Sequence, residues 1–426
     1  MLFKDKLRWV LIFWMFLMSS IAYLDRVNLS IAGAAIQREY ELSDIQLGYV
    51  FSAFIIGYAL FQAPGGRLAD RFGPRLIITL GVAWWGLFTT LTTMVPAGLS
   101  VSIALLILVR FLLGIGEAVV YPASNRLVAS WIPSFERGVA NGFIFAGVGA
   151  GAGITPPLIT FILLNWGWRW SFYVCALLGL SAGAVWYFLA RDDPKNHPWT
   201  KKKELNYIEA GLPPSSSEIH RGRALPWGAI LSNRSFIFVS LSYFSFGYTA
   251  YIFFTWFFLY LSRVRGLDLK SSAFYSMLPF LAMACCSPLG GWIGDLLTKR
   301  FGKRTGRCGV AGAGIALSAV FLALATQVES ARLASVVLAG GAGALYLSQS
   351  AYWAVTADIA GRSAGTASGL MNMIGQIGAA VTGTLTPLIA RSSGWTASFL
   401  VAAGLAVLGS IAWLPVKPDE PIIGRP

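Results

Sequence analysis

The chain has 426 residues, of which 56% are hydrophobic and only 12% charged, with a formal net charge of +14 and a mean hydropathy of +0.64. A water-soluble chain of this length would divide into two or three domains with alternating polar faces, and this composition excludes that class in favour of a membrane protein. The four cysteines, Cys175, Cys285, Cys286 and Cys308, lack the spacing of a disulfide framework or a metal site.

Long apolar runs separated by short charged loops recur along the chain, each close to the ~20 residues with which a helix crosses a ~30 Å hydrocarbon layer. Twelve are predicted, at 9–35, 45–65, 76–95, 99–121, 139–163, 170–190, 236–261, 271–296, 308–327, 332–355, 365–390 and 396–415. The first has the basic start and apolar middle of a signal peptide, with "SSIA" as a cleavage region. Eleven further spans make it more economically an uncleaved helix, so that Asp25 and Arg26, in "IAYLDRVNLSIAG", stay in the mature protein.

Basic residues concentrate in cytoplasmic loops. With a cytoplasmic N-terminus, only Arg38, Arg169, Arg263, Arg265, Lys270, Arg332 and Arg391 fall on the opposite side and Arg26 and Arg110 inside spans, which leaves 24 of the 33 Lys and Arg on the cytoplasmic side. Both termini are therefore expected inside, and the net charge needs no nucleic-acid partner. The stretch "KKKELNYIEAGLPPSSSEIHRGR", from Lys201, reads as a solvated linker with a short surface helix over 201–210. It divides the chain into a six-helix bundle at 1–190, a linker at 191–235, a second six-helix bundle at 236–416 and a cytoplasmic tail at 417–426.

The halves repeat one another. "GGRLADRFGPR" follows the second span and "GGWIGDLLTKRFGKR" the eighth, with Asp70 and Asp295 225 residues apart. "GVANG" from Gly138 matches "GTASG" from Gly365 at a separation of 227, and each leads to a Thr-Pro near the far end of its span. Two matches at nearly one offset indicate an internal duplication.

A charge at mid-bilayer costs on the order of 3 kcal/mol on insertion scales, so charges inside spans need partners. Asp25 and Arg26 are helix neighbours that point about 100° apart and do not easily neutralise each other. In the fourth span Arg110 and Glu117 are seven residues apart, almost two turns, and share one face with Gly114 and Tyr121. Two cations and two carboxylates sum to zero across two helices, and the expected pairing is Asp25 with Arg110 and Arg26 with Glu117 or with the cavity. A static ion network holding helices together would explain the cost poorly, because buried ion pairs are often no more stabilising than apolar packing.

The loop after the second span resembles that of the major facilitator superfamily, whose Gly-x-x-x-Asp-Arg-x-Gly pattern stands here as Gly66, Asp70, Arg71 and Gly73, echoed by Asp295 in the second half. The resemblance covers nearly the whole chain, including "RFLLGIGEA" in the fourth span, and implies an all-α membrane protein of twelve helices in two pseudo-symmetric halves. It implies that Asp70 and Arg71 tie helix ends together in one conformation and release them in another. In detail the pattern is similar to the anion:cation symporter branch, which includes bacterial carriers of hexonates, hexuronates and glucarate and animal vesicular glutamate and sialic acid carriers. The matching residues are Tyr23, Asp25 and Arg26 in "YLDRVNLSIA", Tyr58 and Gln62 in "FSAFIIGYALFQAPGG", and Arg110 and Glu117 in the fourth span. That branch implies that Arg26 binds a substrate carboxylate and that Asp25 and Glu117 couple proton binding to transport. The chemistry suits the residues, since a guanidinium fork meets a carboxylate with two parallel hydrogen bonds.

Carriers of this build bind substrate near the midplane between the repeats. The second half offers Tyr248, Tyr251, Gln349, Tyr352, Asn372 and Gln376, with Asn372 and Gln376 four apart on one face. The branch resemblance points first to Asn372 and then to Tyr352. Hexonate carriers of the branch show a Gln in helix five where this chain reads "FIFAGVGAGAG", which favours a less hydroxylated carboxylate, including an aromatic acid. The expected function is proton-coupled import of a small organic anion by a monomer in the lipid bilayer, with no cofactor beyond the proton gradient. An efflux carrier, an uncoupled facilitator and a non-transporting receptor are the alternatives. An enzyme is disfavoured because His197 and His220 lie in the linker and the spans hold no metal or nucleophile constellation. Short outside loops, with sequons only at Asn28 and Asn233, fit a bacterial inner membrane.

Overall fold

Hydrocarbon offers backbone N–H and C=O groups no partner, so a chain of this composition has to satisfy them within each segment. The computed structural model describes residues 6–212 and 225–422, and these are helical throughout with no strand among them. Ten apolar helical stretches are long enough to cross a membrane, and the last, Ala331–Ile411, is three helices divided by the turn Gly361–Ser363 and by Gly394. Twelve spans result: α1 (Leu7–Glu39), α2 (Asp44–Phe72), α3 (Pro74–Met94), α4 (Ser102–Trp131), α5 (Arg137–Trp166), α6 (Trp168–Leu189), α7 (234–264), α8 (Leu269–Phe301), α9 (Arg304–Ala325), α10 (331–360), α11 (364–393) and α12 (395–411). Exposed Leu164, Phe188 and Leu414 face outward, where lipid would lie.

Local chemistry sets the ends. Ser43 and Gln46 form a reciprocal capping box at the start of α2, and Asn233 and Asp268 cap α7 and α8 through their side chains. A single glycine with φ between +85° and +90° turns the chain after α2, α5, α8 and α11, at Gly73, Gly167, Gly302 and Gly394, a backbone region open to glycine at little cost. Pro122 lacks the N–H that would reach the Ala118 carbonyl, and α4 is interrupted there, between Ala118 and Val120. The fourth and tenth spans run on to Trp131 and Ala360, well past the expected ends at 121 and 355. Those added turns mix polar residues such as Asn125, Arg126 and Asp358 with apolar ones and lie beyond the stretch that hydropathy detects.

Within the first half α1 packs on α5, α2 on α4 and α3 on α6; within the second, α7 packs on α11 and α12, α8 on α10, and α9 on α10 and α12. The halves meet along two seams, α2 with α11 and α5 with α8. Both close tightly on the side that carries the chain ends, here the terminal face. A Cβ on Gly66 would stand 2.0 Å from the Gly365 carbonyl oxygen, and one on Gly291 would stand 2.2 Å from that of Gly138. The linker helix forms at Lys202–Gly211, one residue on from the expected place. Its Glu204 accepts from the backbone N–H of Leu7 (3.0 Å) and Arg8 (3.1 Å) and from the Arg8 guanidinium, which also donates to Glu136. Two free N–H groups at the start of α1 are thereby satisfied. His220 lies outside the described residues.

Because the seam tolerates no side chain at Gly66, Gly66→Val should open the terminal face. With the four native cysteines replaced by Ser and the buried Ala364 changed to Cys as reporter, Gly66→Val should speed labelling by a water-soluble maleimide about fivefold or more, on the scale of an overpacking penalty. Unchanged labelling would show that the seam does not control access.

Candidate functional site

Close backbone approach between α2 and α4 creates the setting for the buried charges. A Cβ on Gly57 would lie 2.2 Å from the Phe111 carbonyl oxygen, and one on Gly114 would lie 2.3 Å from that of Phe54. Gly114 therefore stands between Arg110 and Glu117 because α2 has to reach α4 at that level. Glu117, on α4, is fully buried and accepts a 2.5 Å hydrogen bond from Arg26 Nε on α1. The Arg26 guanidinium lies 4.0 Å from the ring centre of Tyr58, 4.8 Å from that of Tyr23 and 5.4 Å from that of Phe54, a cage that suits a planar cation. Arg26 Nη2 and Glu117 Oε2 are left without hydrogen-bond partners.

The pairing expected between Asp25 and Arg110 is not made. Asp25 turns toward α3, where Oδ2 accepts from Trp85 Nε1 (3.0 Å) and Thr89 Oγ1 (3.2 Å). The Arg110 guanidinium sits 5.1 Å from the Phe54 ring centre, and its Nε and Nη1 have no partner. Neutral donors on α3 thus take one carboxylate oxygen while an aromatic face takes the cation, and Asp25 Oδ1 remains unpaired. Neither Trp85 nor Thr89 carries a motif in the sequence. An indole and a hydroxyl in the third span read as ordinary lining of an apolar run.

A central cavity between the halves is lined by Tyr23, Tyr58, Tyr121 and Phe145 of the first half and by Tyr243, Tyr251, Phe254, Tyr346, Gln349, Asn372 and Gln376 of the second, among others. Every lining residue is uncharged, and Arg26 stands directly behind Tyr23 and Tyr58. Of the residues expected at a binding site, Tyr23, Tyr58, Tyr251, Gln349, Asn372 and Gln376 are in the wall. Tyr352 is not: it is fully buried behind Tyr243, with ring centres 4.7 Å apart, shares a 2.7 Å hydrogen bond with Ser242, and packs on Trp413. Tyr248 is likewise interior. Tyr243 and Tyr346 take their place in the wall; in "SYFSFGY" and "ALYLS" aromatic and small residues mix without a polar period, so no pattern marks the inward face. Wall amides are already engaged, since Tyr251 donates to Gln376 Oε1 (3.1 Å), Gln349 to Tyr243 (3.2 Å) and Asn372 to Gln62 Oε1 (2.9 Å).

The glycine run of α5 has a packing reason. A Cβ on Gly147 or Gly151 would strike the carbonyls of Phe16 and Ser20 on α1 at 2.5 and 2.3 Å, and one on Gly149 that of Phe280 on α8 at 2.3 Å. Helix α5 is thus pressed against both halves at the level where a Gln was expected by resemblance, and it presents Phe145 and Val148 to the cavity.

Toward the terminal face the duplicated motifs meet crosswise. Asp70 accepts from the N–H of Gly365 (3.0 Å) and Thr366 (2.7 Å) and from the Thr366 hydroxyl. Asp295 accepts from the N–H of Gly138 (3.0 Å) and Val139 (2.6 Å) and from Arg307. Each aspartate therefore caps the first turn of a helix in the opposite half, where the helix dipole favours negative charge. Arg71 does not take part: it is exposed and stacks on Phe72, and Arg126, 3.9 Å from Asp70, is the cation beside the motif. Arg137 of α5 bridges to Asp358 of α10, and Asn125 of α4 donates to Thr356 of α10. These partners were not legible in the sequence because each pair is more than 200 residues apart. The Asn372–Gln62 bond and the contacts of Asp70, Asp295, Arg137 and Asn125 join the halves from the level of Asn372 toward the terminal face. Within the cavity wall Tyr23 also meets Phe254 across the halves, with ring centres 5.9 Å apart.

Two related six-helix halves around a central cavity, closed on one side by polar contacts, define a membrane transporter. The chain belongs to the Major Facilitator Superfamily, whose family model matches residues 15–383 and 296–425. It is similar to the proton:xylose symporter in complex with 6-bromo-6-deoxy-D-glucose, with a TM-score of 0.75 at 16% identity over 96% of this chain and 97% of that one. A "probable sulfoacetate transporter" of Cupriavidus necator is 35% identical over 421 residues, covering 97% of this chain and 95% of its own. A "probable galactarate/D-glucarate transporter" of Bacillus subtilis is 34% identical, covering 96% and 91%. The hexuronate transporter of the same organism is 31% identical, covering 99% and 97%.

The contrast between the two charge pairs is measurable as a coupling energy. In double-mutant cycles on thermal unfolding, Arg26→Gln with Glu117→Gln should show an interaction of about 1–3 kcal/mol, as for contacting residues. Asp25→Asn with Arg110→Gln should show a clearly smaller one. Equal couplings, or the reverse order, would mean that the contact pattern around Phe54 is not the one that holds in the membrane.

Proposed function

We propose that this protein is a proton-coupled symporter that imports a small organic anion, a sugar acid or another carboxylate. The observation that carries this reading is one guanidinium, that of Arg26, set behind the tyrosines of an otherwise uncharged cavity with Nη2 unpartnered and Nε held by Glu117. An anion entering the cavity finds a single cation with one open hydrogen-bonding edge. Relatives that span the chain are named for sulfoacetate, galactarate or glucarate, and hexuronate, all of them carboxylates.

Proton coupling follows from competition for that cation. With Glu117 ionised, Arg26 is occupied; with Glu117 protonated, Arg26 loses a competing anion and is free to take the substrate carboxylate. Proton and anion binding then favour each other reciprocally through one guanidinium. Asp25 and Arg110 set the charge background of that exchange. Tyr23, Tyr58, Asn372 and Gln376 provide the hydrogen-bonding wall, and the contacts of Asp70 and Asp295 form the gate that opens and recloses. The excess of basic residues on the terminal face favours a cytoplasmic location for both chain ends in a bacterial inner membrane. The closed terminal face is then the cytoplasmic gate.

A thermal-shift panel of sulfoacetate, D-glucarate, D-galacturonate and a cationic drug on the purified protein tests the substrate class. At least one carboxylate should raise the melting temperature; a response to the cation alone would replace this reading with that of an efflux carrier. Arg26→Lys keeps the charge but loses the fork, so it should weaken binding of the responding carboxylate about tenfold or more while the protein stays folded. Wild-type affinity there would refute the assignment.

Glu117→Gln mimics the protonated state. In proteoliposomes it should sustain counterflow of the responding carboxylate yet fail to accumulate it under an imposed inward proton gradient. Accumulation at the wild-type level would remove Glu117 from the coupling and leave Asp25 as the acidic group to test.

A further inference from the structure

The two seams beneath the cavity follow one plan and differ at one level. The offset of 225 residues that carries Asp70 onto Asp295 also carries Gly66 onto Gly291 and Gln62 onto Ser287. The offset of 227 that carries Gly138 onto Gly365 carries Gly142 onto Gly369 and Phe145 onto Asn372. At the terminal end the seams match, with each aspartate on two N–H groups of the opposite half. One level up they match again: a Cβ on Gly369 would lie 2.3 Å from the Gln62 carbonyl oxygen, and one on Gly142 would lie 2.6 Å from that of Ser287.

At the level that touches the cavity they part. On the α2/α11 seam Asn372 Nδ2 donates to Gln62 Oε1 at 2.9 Å. On the α5/α8 seam the equivalent positions hold the apolar ring of Phe145 and the Ser287 hydroxyl, which is buried without a partner. Gln62 is fully buried, and its Nε2 has no partner either. Among the described residues, Asn372 is the polar side chain that both lines the cavity and hydrogen-bonds across a seam. Gln62, Gly66 and Asp70 follow at intervals of four along one face of α2, so this bond is in line with the gate contacts below it.

We propose that the Gln62–Asn372 bond is a latch through which occupancy of the cavity reaches the terminal gate. A polar group of a bound molecule that engages the Asn372 amide draws its N–H from Gln62. The α2/α11 seam then loosens from its cavity end while the α5/α8 seam, where the Ser287 hydroxyl makes no hydrogen bond that could be drawn away, stays shut. Gln62 is a positioning residue in this scheme, and the latch goes beyond the identity of the substrate.

Hydrogen exchange of the full-length protein reads both seams at once, through peptides that span Gly365–Thr366 and Gly138–Val139. Without ligand, Gln62→Met should raise exchange at Gly365–Thr366 about fivefold, the change expected of one net hydrogen bond, and leave Gly138–Val139 unchanged. Asn372→Leu should do the same and carries the comparison if the first variant fails to fold. Where both fold, the double variant should add little to either single. Ser287→Ala should leave both seams as they are. Unchanged exchange at Gly365–Thr366, an equal rise at both seams, or an effect of the double equal to the product of the singles would overturn the latch. In the wild type, sulfoacetate or D-glucarate, whichever raises the melting temperature, should raise exchange at Gly365–Thr366 ahead of Gly138–Val139. A bound anion that leaves Gly365–Thr366 protected would overturn the coupling. If neither compound binds, D-galacturonate takes their place where it raises the melting temperature; if none of the three binds, the substrate reading fails and the latch is decided by the ligand-free comparison.

Discussion

An arginine carried into the hydrocarbon layer has to be answered by a carboxylate, and the Arg26–Glu117 contact is the answer on which the middle of this molecule depends. It requires α1 and α4 to meet, which requires α2 to pass α4 at van der Waals distance, which requires glycine at positions 57 and 114. Aromatic rings of α1 and α2 then enclose the guanidinium. The pairing is incomplete, because one oxygen of Glu117 and one nitrogen of Arg26 remain unsatisfied. A buried ion that lacks part of its hydrogen bonding is costly, so the site has a standing preference for whatever completes it.

The same logic of partial satisfaction shapes the gate. Asp70 and Asp295 spend their charge on backbone N–H groups at helix starts in the opposite half, a contact that is favourable when made and replaceable by water when broken. Glycine on both sides of each seam lets backbones touch without interlocking side chains, so separation needs no repacking of large residues. The contacts on this face are polar, whereas the packing within each half is apolar and continuous.

Duplication supplied the two seams with equal parts, and divergence then gave them different residues at the level of the cavity. Where one seam has an amide pair, the other has a ring and an unpaired hydroxyl. The charge cluster is equally one-sided: the equivalents of Arg110 and Glu117, by the same offsets, fall in the apolar tenth span, around Val337 and Ala344. The first half holds the ionisable chemistry, and the second holds neutral hydrogen-bonding groups.

Twelve apolar runs, the division after the sixth, the repeat of the loop motif and the four charges inside spans were all legible in the amino-acid sequence, because each is a local property of composition or spacing. Hydropathy also made the fourth and tenth spans too short, since it registers lipid-facing length and not the mixed polar and apolar turns by which helices reach the gate. What only the tertiary structure decided is which partner each polar group meets. Asp25 is held by Trp85 and Thr89, Arg126 and not Arg71 stands beside Asp70, and Tyr352 is buried behind Tyr243. Each outcome depends on the rotation of one helix about its axis relative to another far away in the chain. A one-residue change in that rotation turns a side chain by about 100°, and the rotation is set by glycine contacts and aromatic packing between helices. A sequence states which groups need partners; the packing of the helices chooses among them.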